Sequence, residues 1–194
     1  MKRLVYLSLF LVLVSFAQSG AIKHSTSVLI KENSELNING TSNISDFKCR
    51  YKIQNLNKPI RIHYEKWDAT IKFENSHLVL ENSGFDCGGR GINKDFHGLL
   101  QSEIYPKIVL ELKEIKLKVN QKNVADALVE IEIAGKKKEY RMETTFNKNG
   151  EWLISGKLKL NINDYQLKAP TKMFGLVVVS DEIEISFNLV VQEC

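Results

Sequence analysis

Histidine, cysteine and carboxylate side chains do chemistry when a fold gathers them, and in this chain they are dispersed. His24, His63, His77 and His97 lie on four separate segments, with no His-x-x-x-His or Cys-x-x-Cys spacing. Zinc requires three or four such ligands to converge, so no metal site is proposed. Gly88-Gly89-Arg90-Gly91 lacks the Lys-Ser/Thr ending of a phosphate loop and reads as a flexible turn beside Cys87. A Gly-x-Ser-x-Gly elbow is absent from the sequence. Asp181, Glu182 and Glu184 crowd together, but Glu182 and Glu184 share one strand face expected to be wet, which suits solvation better than acid/base work. Asp95 with His97 is the remaining acid/base pair, and it motivates an enzyme only as a minor alternative. Catalytic residues and cofactors are therefore not expected.

The more informative side chains are apolar. Met173 and Phe174 sit in a long loop, Leu167 to Gly175, where a bare connection would be polar. Side chains of that kind must be buried over or into something. Phe96, Trp152 and Phe187 are further large groups expected at an inner face or a mouth. A concave site lined in this way fits an apolar ligand. Periodicity accommodates a filled core equally well.

Two arms flank that loop. Leu158, Leu160 and Ile162 alternate with Lys157, Lys159 and Asn161; Ile183, Ile185, Phe187 and Leu189 alternate with Glu182, Glu184, Ser186 and Asn188. A period of two places one apolar and one wet face on each arm. The same rhythm fills the chain from Lys107 onward, with a change of phase that predicts a bulge near Lys113. Asn75-Ser76 and Asn149-Gly150 are expected hairpin turns, and Gly135 to Lys138 is expected to be another, with Lys136, Lys137 and Lys138 solvated in it. One segment departs from the rhythm. Ile92, Phe96, Leu99 and Leu100 form a helical stripe, with Asn93 as the expected N-cap and Tyr105-Pro106 as the stop. Eight or more alternating strands with one short helix predict an all-β fold whose sheet must close or stack to hide its edges, an antiparallel barrel in preference to a two-sheet sandwich because the strands are long and their parities sustained.

The first residues read as an export signal. Lys2 and Arg3 precede an apolar run from Leu4 to Phe16, shorter than the roughly 20 residues needed to span a bilayer. Cleavage is expected after Ala17, or after Ser19, leaving 18–194 as a single domain that is periplasmic or secreted and not stably inserted in a membrane. The formal charge of +4 falls to +2 without Lys2 and Arg3, a mixed surface that argues against nucleic acid as a partner. An oxidising compartment favours a bridge between Cys49 and Cys87. Cys194 is left over, free, capped or paired between molecules. The oligomeric state stays open, a homodimer included.

Several of these segments resemble the YceI-like family of lipid- and polyisoprenoid-binding proteins of the bacterial periplasm. The resemblance is carried by Gly40-Thr-Ser-Asn43 with Phe47 and Cys49, by Asp86-Cys87-Gly88 through Asn93-Lys-Asp95, by Tyr105-Pro106-Lys-Ile108, and most specifically by Ala169-Pro-Thr-Lys-Met-Phe-Gly175 followed by Asp181-Glu182. It runs from about Leu36 to Leu189, and the cysteine-bearing form looks like the branch common in Bacteroidetes-type bacteria. It implies a lipocalin-like β-barrel of about eight strands, closed by a short helix and holding a polyisoprenoid or other long-chain lipid. Phe96, Leu99 and Leu100, with Met173 and Phe174, correspond by position to its cavity or mouth. With the inward residues of the arms, the candidate lipid-binding set is Phe96, Leu99, Leu100, Trp152, Leu158, Leu160, Ile162, Met173, Phe174, Ile185 and Phe187. The alternative is a structural or interaction domain of the cell envelope whose core is filled.

Overall fold

The computed structural model describes residues 22–172 and 176–194, leaving aside the side chains of residues 171–172. The expected export signal and the candidates Met173 and Phe174 lie outside the described residues. Thirteen strands form one antiparallel sheet system. They are β1 (Ile22–Ile30), β2 (Glu35–Ser42), β3 (Asp46–Tyr51), β4 (Ile60–Trp67), β5 (Thr70–Glu74), β6 (His77–Glu81), β7 (Phe85–Asp86), β8 (Lys107–Leu117), β9 (Val124–Ile133), β10 (Lys136–Asn149), β11 (Glu151–Asn161), β12 (Thr171–Lys172) and β13 (Val177–Glu193). A single α-helix among the described residues, α1 (Arg90–Leu99), separates β7 from β8.

The ring closes through eight of these strands, in the order β1-β4-β5-β8-β9-β10-β11-β13 and back to β1. Its seam is short, with Val28, Leu29 and Ile30 opposite Glu193, Gln192 and Val191. Along one edge, long β13 serves two partners in succession. Its C-terminal end joins β1, while Ile183 to Asn188 pair with Gly40 to Glu35 of β2. β8 divides in the same manner, between β6 through Lys107 to Glu111 and β5 through Glu114 to Lys116. The phase change expected near Lys113 is a register shift between Leu112 and Glu114. A bulge there re-aims the strand and lets one strand serve two partners.

Strict alternation follows from the pleat. In β9, Ala125, Ala127, Val129, Ile131 and Ile133 are all buried, while the residues between them are half-exposed. Outside, surface partners absorb the acidic cluster: Lys157 pairs with Glu184 at 3.4 Å and Lys159 with Glu182 at 3.2 Å across the strands, and the Asn163 side chain donates a hydrogen bond to Asp181 at 2.9 Å. Exposed pairs of this kind contribute less than about 1 kcal/mol each.

Local chemistry corrects three expectations. Ala134 and Gly135, both with positive φ, make the turn between β9 and β10, so Lys136 to Lys138 belong to β10, and Lys137 pairs with Glu130 at 2.9 Å. Ile162 ends the run of β11 inside a 3-10 turn (Ile162–Tyr165), with the Asn161 side chain accepting from the Asn163 amide. Asn75-Ser76 does not turn a hairpin: β5 and β6, which it joins, pair one after the other with β8, through Lys116 to Glu114 and Glu111 to Lys107.

Two phenylalanines lie across glycines on the facing strand. Phe47 is opposite Gly40 and Phe187 opposite Gly156. A Cβ on Gly156 would stand 2.6 Å from Phe187 Cζ and 3.3 Å from Thr144 Cγ2, so the ring can lie flat only because glycine faces it. Gly156→Ala is expected to destabilise the fold by about 1–2 kcal/mol through overpacking. A denaturant midpoint unchanged from wild type would contradict this packing, and adding Phe187→Leu should restore most of the loss.

Candidate functional site

Apolar side chains from β2, β6, β8, β9, β13 and α1 meet at one end of the barrel. Between them lies a narrow void of about 60 Å³, walled by Leu36, Ile38, Leu80, Phe85, Leu110 and Ile133 among others, with Ser180 the one polar residue on its wall among the described residues. A water occupies about 30 Å³ in the liquid, so the void is the size of about two waters or a few methylenes. Among the described residues, this void is not a continuous dry tube.

Beside it, a half-open cleft of about 260 Å³ runs between the β2–β3 turn, the inner face of α1, Pro170 and the start of β13. Void and cleft share four residues: Phe47, Phe96, Leu99 and Val179. These four side chains partition the mouth from the interior. Phe96 is 9% exposed and packs on Phe85 with ring centres 5.2 Å apart. Phe47 and Leu99 are only partly buried.

The helix that carries half of this partition is fastened at both ends. Cys49 of β3 is bonded to Cys87, just ahead of α1, and Cys49 also lines the cleft. A bridge spanning 38 residues of sequence stabilises by about 3–4 kcal/mol in the chain-entropy account. Asn93 is not the N-cap. The helix begins earlier, with Gly89 at that position, and the Asn93 side chain reaches back to accept from the Cys87 amide at 2.7 Å and donate to Asp86 at 3.1 Å. At the far end, Asn82, 1% exposed, donates to Ser102 Oγ and the Tyr105 carbonyl, pinning the loop that follows α1.

The Gly88 amide first, then the Asn93 side chain, hold the Asp86 carboxyl below the usual carboxylate range. A depressed folded pKa adds stability that is complete above the unfolded value, near pH 4, and is lost as pH falls through the folded value. Acidification below about pH 4 is therefore expected to loosen the start of α1. Asp86→Asn should flatten that part of the pH-stability profile, and a profile unchanged by the substitution would contradict the assignment.

Of the sequence candidates, Phe96, Leu99, Leu100, Ile162 and Ile185 come together on the wall of the void. Leu158 and Leu160 are 7% and 3% exposed in the same buried cluster without lining it. Phe187 is spent on Gly156. Trp152 lies opposite Val191, toward the seam, where its indole N–H donates to Glu193 at 2.8 Å and Lys148 sits 4.7 Å above the ring. Its polar edge is therefore held at the surface. Phe47, noted in the sequence only for the family resemblance, and Leu36, Ile38 and Val179 were not among the lipid-binding candidates. The parity that placed Phe47 on the inner side of β3 was visible; its position across Gly40 was not.

Asp95 and His97 look into different spaces. Asp95 lines the apolar cleft, while His97 lines an open groove of about 770 Å³ behind α1, walled by Glu81, Ser83, Lys94, Gln101 and Glu103 among others. That groove is the larger concavity, but charged and polar residues are prominent on its wall and it shares no lining residue with the void. Among the described residues, no three of His, Cys, Asp and Glu form a group able to hold a metal ion.

Comparison with known proteins gives the fold its relatives. BcnA of Burkholderia cenocepacia superposes with a TM-score of 0.55 at 18% identity, covering 81% of this chain and 95% of its own. A domain from Saccharophagus degradans, described as polyisoprenoid-binding and implicated in plant cell wall breakdown, superposes at 0.56 and 11% identity, covering 88% and 100%. A Campylobacter jejuni YceI protein variant carrying a monobromobimane guest superposes at 0.51 and 12%, covering 61% and 72%. No curated protein matches the chain. The model of the YceI-like domain matches residues 53–191, and with the eight-strand ring, its side branch and its single helix in place, the chain belongs to the YceI-like family.

Proposed function

We propose that this protein is an exported, non-enzymatic carrier that takes a long apolar chain, a polyisoprenoid foremost, from the cleft beside α1 into the barrel. The observation that carries the reading is the shared partition: an apolar void and an apolar mouth are separated by four side chains, two of them on the helix. Family membership and the polyisoprenoid-binding description of the Saccharophagus degradans domain support it. The Cys49–Cys87 bridge suits an oxidising compartment, and no described helix is long and apolar enough to cross a membrane.

A void of about 60 Å³ cannot hold several isoprene units, so loading requires α1 and the partition side chains to move apart. Each CH2 withdrawn from water stabilises the complex by about 0.8 kcal/mol, an energy that grows with chain length and can offset the packing lost on opening. The head group would stay at the mouth, and specificity would follow from bore and length. The test is retention of radiolabelled prenols of increasing length on gel filtration. Retention that rises with length is expected; none at any length would contradict the proposal.

The narrowness of the void favours a second reading, a filled-core interaction domain of the cell envelope. The two readings part on what a cavity-forming substitution does when lipid is added, as argued for Phe96 below.

A further inference from the structure

The mouth of the cleft has an apolar rim that the barrel does not need. Ile44, Leu176 and Val178 are 68%, 71% and 49% exposed, three of the ten exposed large apolar side chains among the described residues. They are held together at one tip. The Asn43 side chain donates to the Leu176 carbonyl at 2.8 Å and accepts from the Val178 amide at 3.0 Å, and the Asn43 amide donates to the Val178 carbonyl at 3.1 Å. The turn beside it is closed by Ser42, whose amide and hydroxyl both donate to the Ser45 carbonyl. The period of two then sorts the start of β13: Val177 and Val179 line the cleft, while the exposed Leu176 and Val178 alternate with them. A soluble surface gains nothing from such a cluster, and clusters of this kind mark contact with something apolar.

Charge says what kind of partner. Thr41 to Ser45 and Leu176 to Ser180 contain no charged residue, and of the described residues lining the cleft Asp95 alone is charged. An uncharged apolar tip at the edge of an apolar cleft complements the acyl boundary of a phospholipid bilayer, where a charge would be costly to bury. We propose that this tip docks on a bilayer, inserting Ile44, Leu176 and Val178 at the head-group boundary so that the cleft opens onto the lipid from which the ligand is drawn. The proposal rests on the carrier reading for its purpose. A chain nearly insoluble in water then need not cross water to reach the barrel.

The experiment scores association and loading separately. Vesicles of phosphatidylethanolamine and phosphatidylglycerol (3:1) are floated with wild type and with the double variant Leu176→Ser/Val178→Ser, whose exposed positions leave the fold intact; circular dichroism checks this. Wild type is expected to float with the vesicles and the variant to lose at least tenfold in association. Transfer of a labelled prenol from vesicles should slow by a similar factor, while loading from ethanol stays as in wild type. Equal flotation of the two proteins, or no flotation of wild type, overturns the docking proposal, including the case where flotation is equal but capture of another protein depends on the tip. Failure of both proteins to load from ethanol counts against the carrier reading alone, because flotation is judged on its own.

Discussion

Leu99→Trp is expected to cut prenol binding at least tenfold while moving the melting temperature by only a few degrees. Leu99 borders both the inner void and the mouth cleft, so a larger side chain there stands in the path between them. Overpacking a dense core costs about 1–3 kcal/mol, but this position is partly buried and opens on about 260 Å³ of free space that the extra ring can use. Lys94→Trp is the control. It puts the same indole on the same helix, facing the polar groove, and should leave binding unchanged. Equal binding by all three proteins would place the ligand's path elsewhere.

Phe96→Ala should show the opposite combination, a weak apo protein that lipid repairs. Removing a side chain 9% exposed and packed at a tilt against Phe85 is expected to cost about 3–5 kcal/mol and lower the melting temperature by roughly 10 °C. The same truncation joins the void to the cleft. A ligand at one hundred times its dissociation constant returns about 2.7 kcal/mol, so added prenol should recover a large part of the lost melting temperature. If the core is simply filled, Phe96→Ala loses the same stability and prenol restores none of it. Thermal melts with and without prenol decide between the two readings.

Much of the architecture could be read from parity. Residues such as Val129, Ile131 and Ile133 declare the inner face of a strand wherever it lies, and the slip at Lys113 was visible as a change of phase. The fork was not visible, because β13 and β8 each divide one edge between two partners and pairing is a property of the whole sheet. Helix α1 was legible as a stripe, yet its start was misplaced. Asn93 resembles a cap in one dimension and in three acts on Cys87 and Asp86. The site was legible as a set of apolar residues and not as a space. Whether inward side chains leave room depends on a few ångströms, as where Phe47 lies across Gly40, and no local pattern carries that information.

Native mass spectrometry of the protein recovered from a bacterial periplasm without detergent tests the central claim, that hydrocarbon passes the partition at Phe47, Phe96, Leu99 and Val179 into the barrel. The expected spectrum has a second species heavier by one lipid chain, extractable into organic solvent and absent from Leu99→Trp. A single species at the apo mass, unchanged after incubation with prenols of every length tried, would contradict it.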